Sequence, residues 1–394
     1  MNIIHINDKL TVSGGVEVYI SQVQGCLNNR GIESDWVAIE RIGKDLRIKT
    51  ENVDLVWEGP LSRFNESPLA RHPARGQIVF HVHSFSEPAI LKALIKIAPV
   101  VRKMADPRVF CPGQGKYWAK TETICSVPMG LHCFRHAYTQ NCCNRRPDRM
   151  LQQYRNSRFE IKYAAPRYFK LLANSTYTKR EALKVGISSD RIEILHNFTP
   201  KTKPPTWQET SQLRLLYIGR LSRTKGVQYM LPAFQRVLSK FSDVVLDLIG
   251  AGHDEALFKN QAKKMGVDAS VNFLGWGGRV EIDQAIGASD IVLFPSVYPE
   301  AFGIVGIEAM MRGKPVVGFD VGGVKDWLRH GETGLLVPVK DTQGFADAVI
   351  RVLDDDVLRR RMGTRAREVA LAEFSEEVHM KKLIQIYEQA LDAS

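Results

Sequence analysis

Short apolar runs alternate with amphipathic helical stretches along the whole chain, in two series separated by a proline- and lysine-rich stretch, Thr199–Thr206. Parallel strands need long crossovers, usually helices, so this alternation specifies parallel α/β sheets. In the first series strands are expected at Ile3–Ile6, Asp35–Ile39, Leu55–Trp57, Ile78–Val82, Val100–Lys103 and Phe169–Ala173. A helix over Val16–Asn29 places Val16, Ile20, Val23 and Leu27 at helical spacing. The second series runs Leu213–Ile218, Val244–Ile249, Val271–Leu274, Ile291–Phe294, Val316–Phe319 and Leu335–Val337, followed by a charge-rich helical tail over Asp356–Asp392. The expected fold class is α/β, with two Rossmann-like domains whose parallel sheets face a central cleft at their strands' carboxyl ends. At 394 residues each domain can bury its own core.

The run from Phe294 to Gly318 carries two carboxylates, Glu300 and Glu308, eight residues apart around an apolar stretch. The segment Val292–Ser296 reads as a buried strand, and Ile304–Arg312 as a helix stopped by Gly313 with Pro315 beyond. Glu300 therefore falls on the strand-to-helix turn and Glu308 about one turn into the helix, where both acids can face one ligand. Gly303 leaves the helix start at Ile304 uncovered, so free amides and the positive dipole end can meet a phosphate. Carboxylates for hydroxyls beside an anion site suit a sugar nucleotide. Upstream, Arg220 and Lys225 follow the strand ending at Gly219, where two fixed cations can stabilise charge on a departing phosphate. Gly14 and Gly15, between a strand and a helix, permit close backbone approach to a phosphate or an acceptor; a plain turn explains them equally well.

These motifs resemble the Glu-x7-Glu signature of retaining glycosyltransferases of family 4 (group 1), which have the GT-B architecture. The segment Leu216–Gly226 is similar to that family's Gly-Arg-Leu…Lys-Gly phosphate loop, and Asn2–Ile6 with 13–19 to its opening strand and glycine loop. Ala173-Asn174-Ser175, His196-Asn197 and Gly322-Gly323 followed by 334–338 also match. The resemblance implies an N-terminal acceptor domain over 1–198, with a basic, cysteine-rich insertion at about 107–150. It further implies a linker over 199–212, a nucleotide-sugar domain over 213–373, and a last helix over 374–394 crossing back to the first domain. Glu300 is expected on the donor sugar's hydroxyls, Glu308 on the ribose, and Asn174 and Ser175 on the acceptor side. Where the family often carries a histidine and an aspartate, this chain has Ala105 and Asp106, just before Cys111-Pro-Gly113. His83 either substitutes for that histidine or is a structural residue.

The implied activity is a retaining, metal-independent transfer of a hexose from a nucleotide sugar to a hydroxyl. A saccharide or lipid-linked acceptor in cell-surface polysaccharide synthesis fits best, and no cofactor is required. Two other readings stand beside it: a GT-B sugar-nucleotide epimerase, and a cysteine-metal nucleic-acid binder.

Net charge is +11, and residues 101–200 carry 18 basic against 7 acidic side chains, the entire excess. A local basic field implies a polyanionic partner. No nucleic-acid recognition pattern accompanies it, so an anionic membrane surface or a lipid diphosphate is the expected partner. The interleaved aromatic and basic residues of Met150–Leu172 suit such a surface; a core-facing aromatic stripe with a solvated basic face is an equal reading. No apolar run reaches the length of a membrane span, and the chain opens into a strand without a signal-peptide pattern. The expectation is a cytoplasmic protein, peripheral on the inner membrane face.

Five of the six cysteines crowd 111–143, at spacings unlike a zinc ribbon. They are either ordinary reduced thiols or four thiolates, Cys111, Cys125, Cys133 and Cys142, around a structural Zn²⁺.

Overall fold

The computed structural model describes residues 1–10, 14–42, 45–50, 53–71, 76–203 and 212–393. Ser13 of the glycine-loop motif and residues 204–211 of the expected linker lie outside the described residues. The chain divides into two compact units. One comprises Met1–Thr121, Cys125–Asn197 and His379–Ser394, the other Glu122–Ile124 and Phe198–Val378.

In the first unit, β1 (Asn2–Asn7) leads through α1 (Gly15–Asn28) to β2 (Glu33–Ile42), β3 (Asp45–Thr50) and β4 (Val53–Pro60). Then come β5 (Ile78–Val82), α2 (Pro88–Ile97) and β6 (Val100–Met104). The two-residue strand β7 (Tyr117–Trp118) follows, then β8 (Thr123–Ile124), which falls in the short segment counted with the second unit, then α3 (His132–Thr139) and α4 (Pro147–Phe159). The series ends with β9 (Lys170–Ala173), α5 (Thr176–Lys184) and β10 (Ile192–Ile194). The sheet order is β10-β9-β6-β5-β1-β2-β3-β4.

The expectation of purely parallel pairing fails at one edge, where β2/β3 and β3/β4 are antiparallel. Only two residues separate each of those pairs, far too few for a crossover. Leu55–Trp57 thus belongs to an antiparallel edge strand. β3 escaped the sequence reading because its inward residues, Leu46 and Ile48, are just two, alternating with polar ones.

The second unit contains β11 (Arg214–Ile218), α6 (Val227–Lys240), β12 (Val245–Ile249), α7 (Glu255–Lys264), β13 (Val271–Phe273), α8 (Arg279–Ala288) and β14 (Ile291–Phe294). α9 (Ile304–Met311), β15 (Val316–Phe319), β16 (Gly334–Val337), α10 (Thr342–Asp354) and α11 (Asp356–Glu373) complete it. Its sheet, β13-β12-β11-β14-β15-β16, is parallel throughout. The strand order reverses between β11 and β14, so the loops leaving those strands diverge and open a crevice.

The charged tail is not one helix. α11 stops at Glu373 and α12 (Glu376–Asp392) starts afresh. Between them Phe374 is fully buried and Ser375 bridges to Thr199, which breaks the helical path.

Across 150–172 the aromatic residues lie inward and the cations outward. Tyr168 is fully buried, whereas Arg155, Arg158 and Lys162 are exposed. Tyr168 Oη donates to the carboxylate of Glu160, which also accepts from Arg102 Nε at 2.8 Å, both ions being 1% exposed.

Beneath α1 and α12 the first sheet presents a polar face. His5 on β1 stands opposite His81 on β5, with His83 just beyond β5, and all three imidazoles are fully buried. His5 Nδ1 lies 2.9 Å from His83 Nε2, and His81 Nδ1 2.5 Å from the Tyr387 hydroxyl of α12. Tyr19 meets His379 Nε2 at 2.9 Å, and Lys103 Nζ sits 4.0 Å above the Tyr19 ring. Burial pushes His5 down to about 3 and holds His81, His83 and His379 well below the usual histidine range. Burial also lowers Lys103 to about 7. Below an unfolded value near 6.5 the unfolded chain binds protons that these folded imidazoles refuse, so stability falls as pH falls. Each such histidine costs about 1.4 kcal/mol per pH unit below about 6. Urea midpoints are therefore expected to drop steeply between pH 7 and 5, and His5→Gln should flatten that slope. A wild-type midpoint unchanged over this range would contradict the buried, neutral cluster.

Candidate functional site

In the second unit the site is made by the loops that leave β11 and β14, the two strands at the reversal of strand order. After β11 the chain passes Gly219 and Arg220 into a short turn at Arg223–Lys225, then Gly226 opens α6. Gly226 has φ +79°, and a Cβ there would overlap the carbonyl oxygen of Pro295. The absence of a side chain is what lets the two loops touch. After β14, Pro295 and Ser296 lead to Glu300, and Gly303 (φ +101°) starts α9.

Backbone hydrogen bonds tie the loops: the N–H groups of Val297 and Tyr298 both donate to the Thr224 carbonyl at 3.1 Å. Side chains complete the tie. Lys225 Nζ pairs with Glu300 Oε1 at 2.6 Å, and Ser296 Oγ donates to the same oxygen at 2.6 Å. The Glu300 carbonyl accepts from Gly323 N–H at 2.8 Å, so the 322–323 glycine pair fixes its backbone. Among the described residues the exposed Arg220 guanidinium has no ion-pair partner; its carbonyl accepts from the Tyr217 hydroxyl at 2.9 Å.

α9 is held from below by Trp327, whose Nε1 donates to the Phe302 carbonyl at 2.6 Å and whose ring lies where a Gly306 side chain would be. Gly303 and Ile304 thus begin a helix whose first turn holds no acid, leaving the amide end open to an anion. Glu308, one turn on, lies 3.6 Å from Arg279 Nη1 and lines a cavity of about 60 Å³ with Arg279, Ile282 and Asp283. Burial raises its carboxyl above the usual range, opposed by the Arg279 guanidinium.

Among the described residues no polar contact joins Glu300 to Glu308: each acid has a cation of its own. Sequence reasoning found both acids and Lys225, but not the Lys225–Glu300 pairing, and it missed Arg279. Ser296 had a signal, as the first hydroxyl after the strand. Arg279, just after the glycine pair 277–278, had a weak one. Trp327 had none.

The first unit places its expected site residues at the carboxyl ends of four neighbouring strands, β9, β6, β5 and β1. Gly14 caps α1, and Gly15 begins it. Asp106, beyond β6, accepts from Arg108 Nε at 2.9 Å and from Ser84 Oγ at 3.4 Å. Ser175 caps α5 by accepting from Thr178 N–H at 3.2 Å, while among the described residues the buried Asn174 Oδ1 has no partner. His83 lies buried with His5 and His81, its Nε2 2.9 Å from His5 Nδ1 and its Nδ1 without a hydrogen-bond partner among the described residues.

Two α/β units with these topologies define the GT-B fold. Residues 200–369 match the family model "Glycosyl transferases group 1". Curated relatives include N-acetyl-alpha-D-glucosaminyl L-malate synthase of Bacillus anthracis, 33% identical over 202 residues, 51% of this chain and 52% of that protein. Phosphatidyl-myo-inositol mannosyltransferase of Mycobacterium leprae is 33% identical over 208 residues, 52% of this chain and 54% of that protein. The chain thus spans about half the length of the curated relatives it matches. Among solved structures, Anabaena HepE in complex with UDP superposes with a TM-score of 0.70 at 17% identity, over 99% of this chain and 100% of that one. Sucrose-phosphate synthase from Thermosynechococcus elongatus gives 0.69 at 20% identity, over the whole of both chains. These likenesses uphold the GT-B fold and the resemblance to group 1 glycosyltransferases drawn from the motifs.

Proposed function

We propose that the chain is a retaining glycosyltransferase that moves a hexose from a nucleoside diphosphate sugar to a hydroxyl of a saccharide or lipid-linked acceptor. The observation that carries this reading is the Lys225–Glu300 pair, at 2.6 Å, beside the exposed Arg220 guanidinium and the open amide end of α9. Breaking the bond from the anomeric carbon to the diphosphate oxygen leaves negative charge on the leaving group. Arg220, Lys225 and the N–H groups at Gly303 and Ile304 supply fixed positive charge for it, which acts most strongly as that charge grows. Chemistry of this kind can run without a metal ion. Glu300, held by Lys225 and Ser296, is rigid enough to orient the sugar's hydroxyls, and Glu308 can accept from the ribose hydroxyls. The Glu308 carboxylate must ionise to accept both, and Arg279 favours that form. In the first unit, Gly14 and Gly15 are assigned to close backbone approach, and Asp106, Asn174 and Ser175 to the acceptor. The family match over 200–369 and a curated relative named for mannosyl transfer to phosphatidyl-myo-inositol support both the reaction class and a lipid-linked acceptor.

A panel of nucleotide sugars in thermal shift is the first test: one donor should raise the midpoint. Glu308→Ala should keep the fold and lose donor affinity. A hydrogen bond to a charged group contributes about 1.5–3 kcal/mol, roughly 10- to 150-fold in Kd. Wild-type affinity by calorimetry would remove Glu308 from the site. Transfer should survive EDTA, and a loss restored by Mg²⁺ or Mn²⁺ would overturn the metal-independent mechanism.

An acceptor on a lipid carrier gives the basic middle block its role at an anionic membrane in polysaccharide synthesis. No described helix is long and apolar enough to cross a membrane, and Arg155, Arg158 and Lys162 are exposed along one stretch of helix. Each such cation near an anionic surface contributes about 1 kcal/mol, screened by salt. Phosphatidylglycerol vesicles should pellet the protein at low salt and neutral vesicles should not. Reversing the three residues to Glu should weaken pelleting while donor binding stays unchanged. Equal pelleting by both vesicle types would contradict an electrostatic dock.

A further inference from the structure

Cys111, Cys125, Cys133, Cys142 and Cys143 line a single cavity of about 20 Å³ in the first unit, with Tyr117, Met129 and Met150 among its walls. All five thiols are free. A space of that size admits one water-sized occupant, which suits a single ion.

Burial raises the Cys111 and Cys133 thiols above their usual range, opposed by the backbone N–H groups of Lys116, Gly113 and Gly115 near Cys111 and of Gly130 near Cys133. Donation of this kind stabilises a thiolate and orients it as a ligand. Gly113 packs on the far end of the segment, so that a Cβ there would stand 2.5 Å from the Cys142 carbonyl oxygen. The first and fourth cysteines are thereby held at one place although 31 residues apart. The thiols that bear electrostatically on Cys133 are Cys111, Cys125 and Cys142. Cys143 lines the same cavity, its sulfur 3.1 Å from Met150 Sδ and hydrogen-bonded to the Cys142 thiol.

We propose that Cys111, Cys125, Cys133 and Cys142 form a structural site for one divalent zinc ion. Among the described residues no three of these sulfurs yet lie within 4.8 Å of one another. Zinc–sulfur bonds of about 2.3 Å would draw them to roughly 3.8 Å spacing around a tetrahedral ion. Binding releases the thiol protons, because the cation favours the thiolate that burial alone disfavours. The site lies five residues beyond Asp106, so the ion would anchor the loop that carries Asp106 and Arg108.

Metal analysis of protein purified without chelator should give about one zinc per chain. Cys133→Ser should abolish that content, and Cys143→Ser should retain it. Exchange of cobalt into the wild-type protein does not depend on a variant that folds: it should produce thiolate-to-cobalt charge-transfer bands and the visible bands of a tetrahedral ion. Metal-free wild-type protein that takes up no zinc, zinc content unchanged in Cys133→Ser, or cobalt spectra without sulfur charge transfer would each overturn the site.

Discussion

The contact between the loops leaving β11 and β14 is the constraint on which the second unit's chemistry depends. Strand order reverses there, so two loops that diverge in topology must be drawn back together to make one site. Gly226 permits the approach, the Thr224 carbonyl accepts from both Val297 and Tyr298, and Lys225 closes on Glu300. A lysine and a glutamate in this position are worth little as a surface ion pair, since Lys225 is a third exposed. Their value is orientation: each fixes the other where a charged ligand would meet both. Glu300 also accepts from Ser296, which holds it independently of the lysine.

The first unit shows a different economy. Its central strands bury histidines, Lys103 and the Arg102–Glu160 pair where an ordinary α/β core would be aliphatic. Losing either ion of the Arg102–Glu160 pair would leave a buried charge unmatched, a cost of about 3–5 kcal/mol. The polar face instead fixes which residues of α1 and α12 lie on the sheet, since Tyr19, His379 and Tyr387 each bond within it. His83 is engaged in that face, while Asp106 and Ser84 lie beyond it at the strand ends.

Much of this was legible in the sequence, for identifiable reasons. Ile291–Phe294 and Val316–Phe319 are uninterrupted apolar strands, and Ile78–Val82 is broken only by His81; all three are buried on both sides, and both their existence and their ends were readable. The β3–β4 edge was not, because two-residue connections and alternating polarity describe a hairpin rather than a crossover unit. Glu300 and Glu308 were readable as a pair of acids around a helix start. Lys225 was readable too, but its pairing with Glu300, and Arg279 beside Glu308, were not, because these segments are distant in sequence and only the sheet order brings them near. The breaking of the charged tail at Phe374 depends on burial that local helix propensity does not report.

The central claim is that the β11 and β14 loops hold the diphosphate of a nucleotide sugar, and a crystal structure of the protein soaked with a nucleoside diphosphate tests it most directly. The account predicts phosphate oxygens within hydrogen-bond distance of Lys225 Nζ, the Arg220 guanidinium and the Gly303–Ile304 amides, with the ribose hydroxyls on Glu308. A nucleotide seated away from these loops, with Lys225 and Glu300 still paired to each other alone, would contradict it.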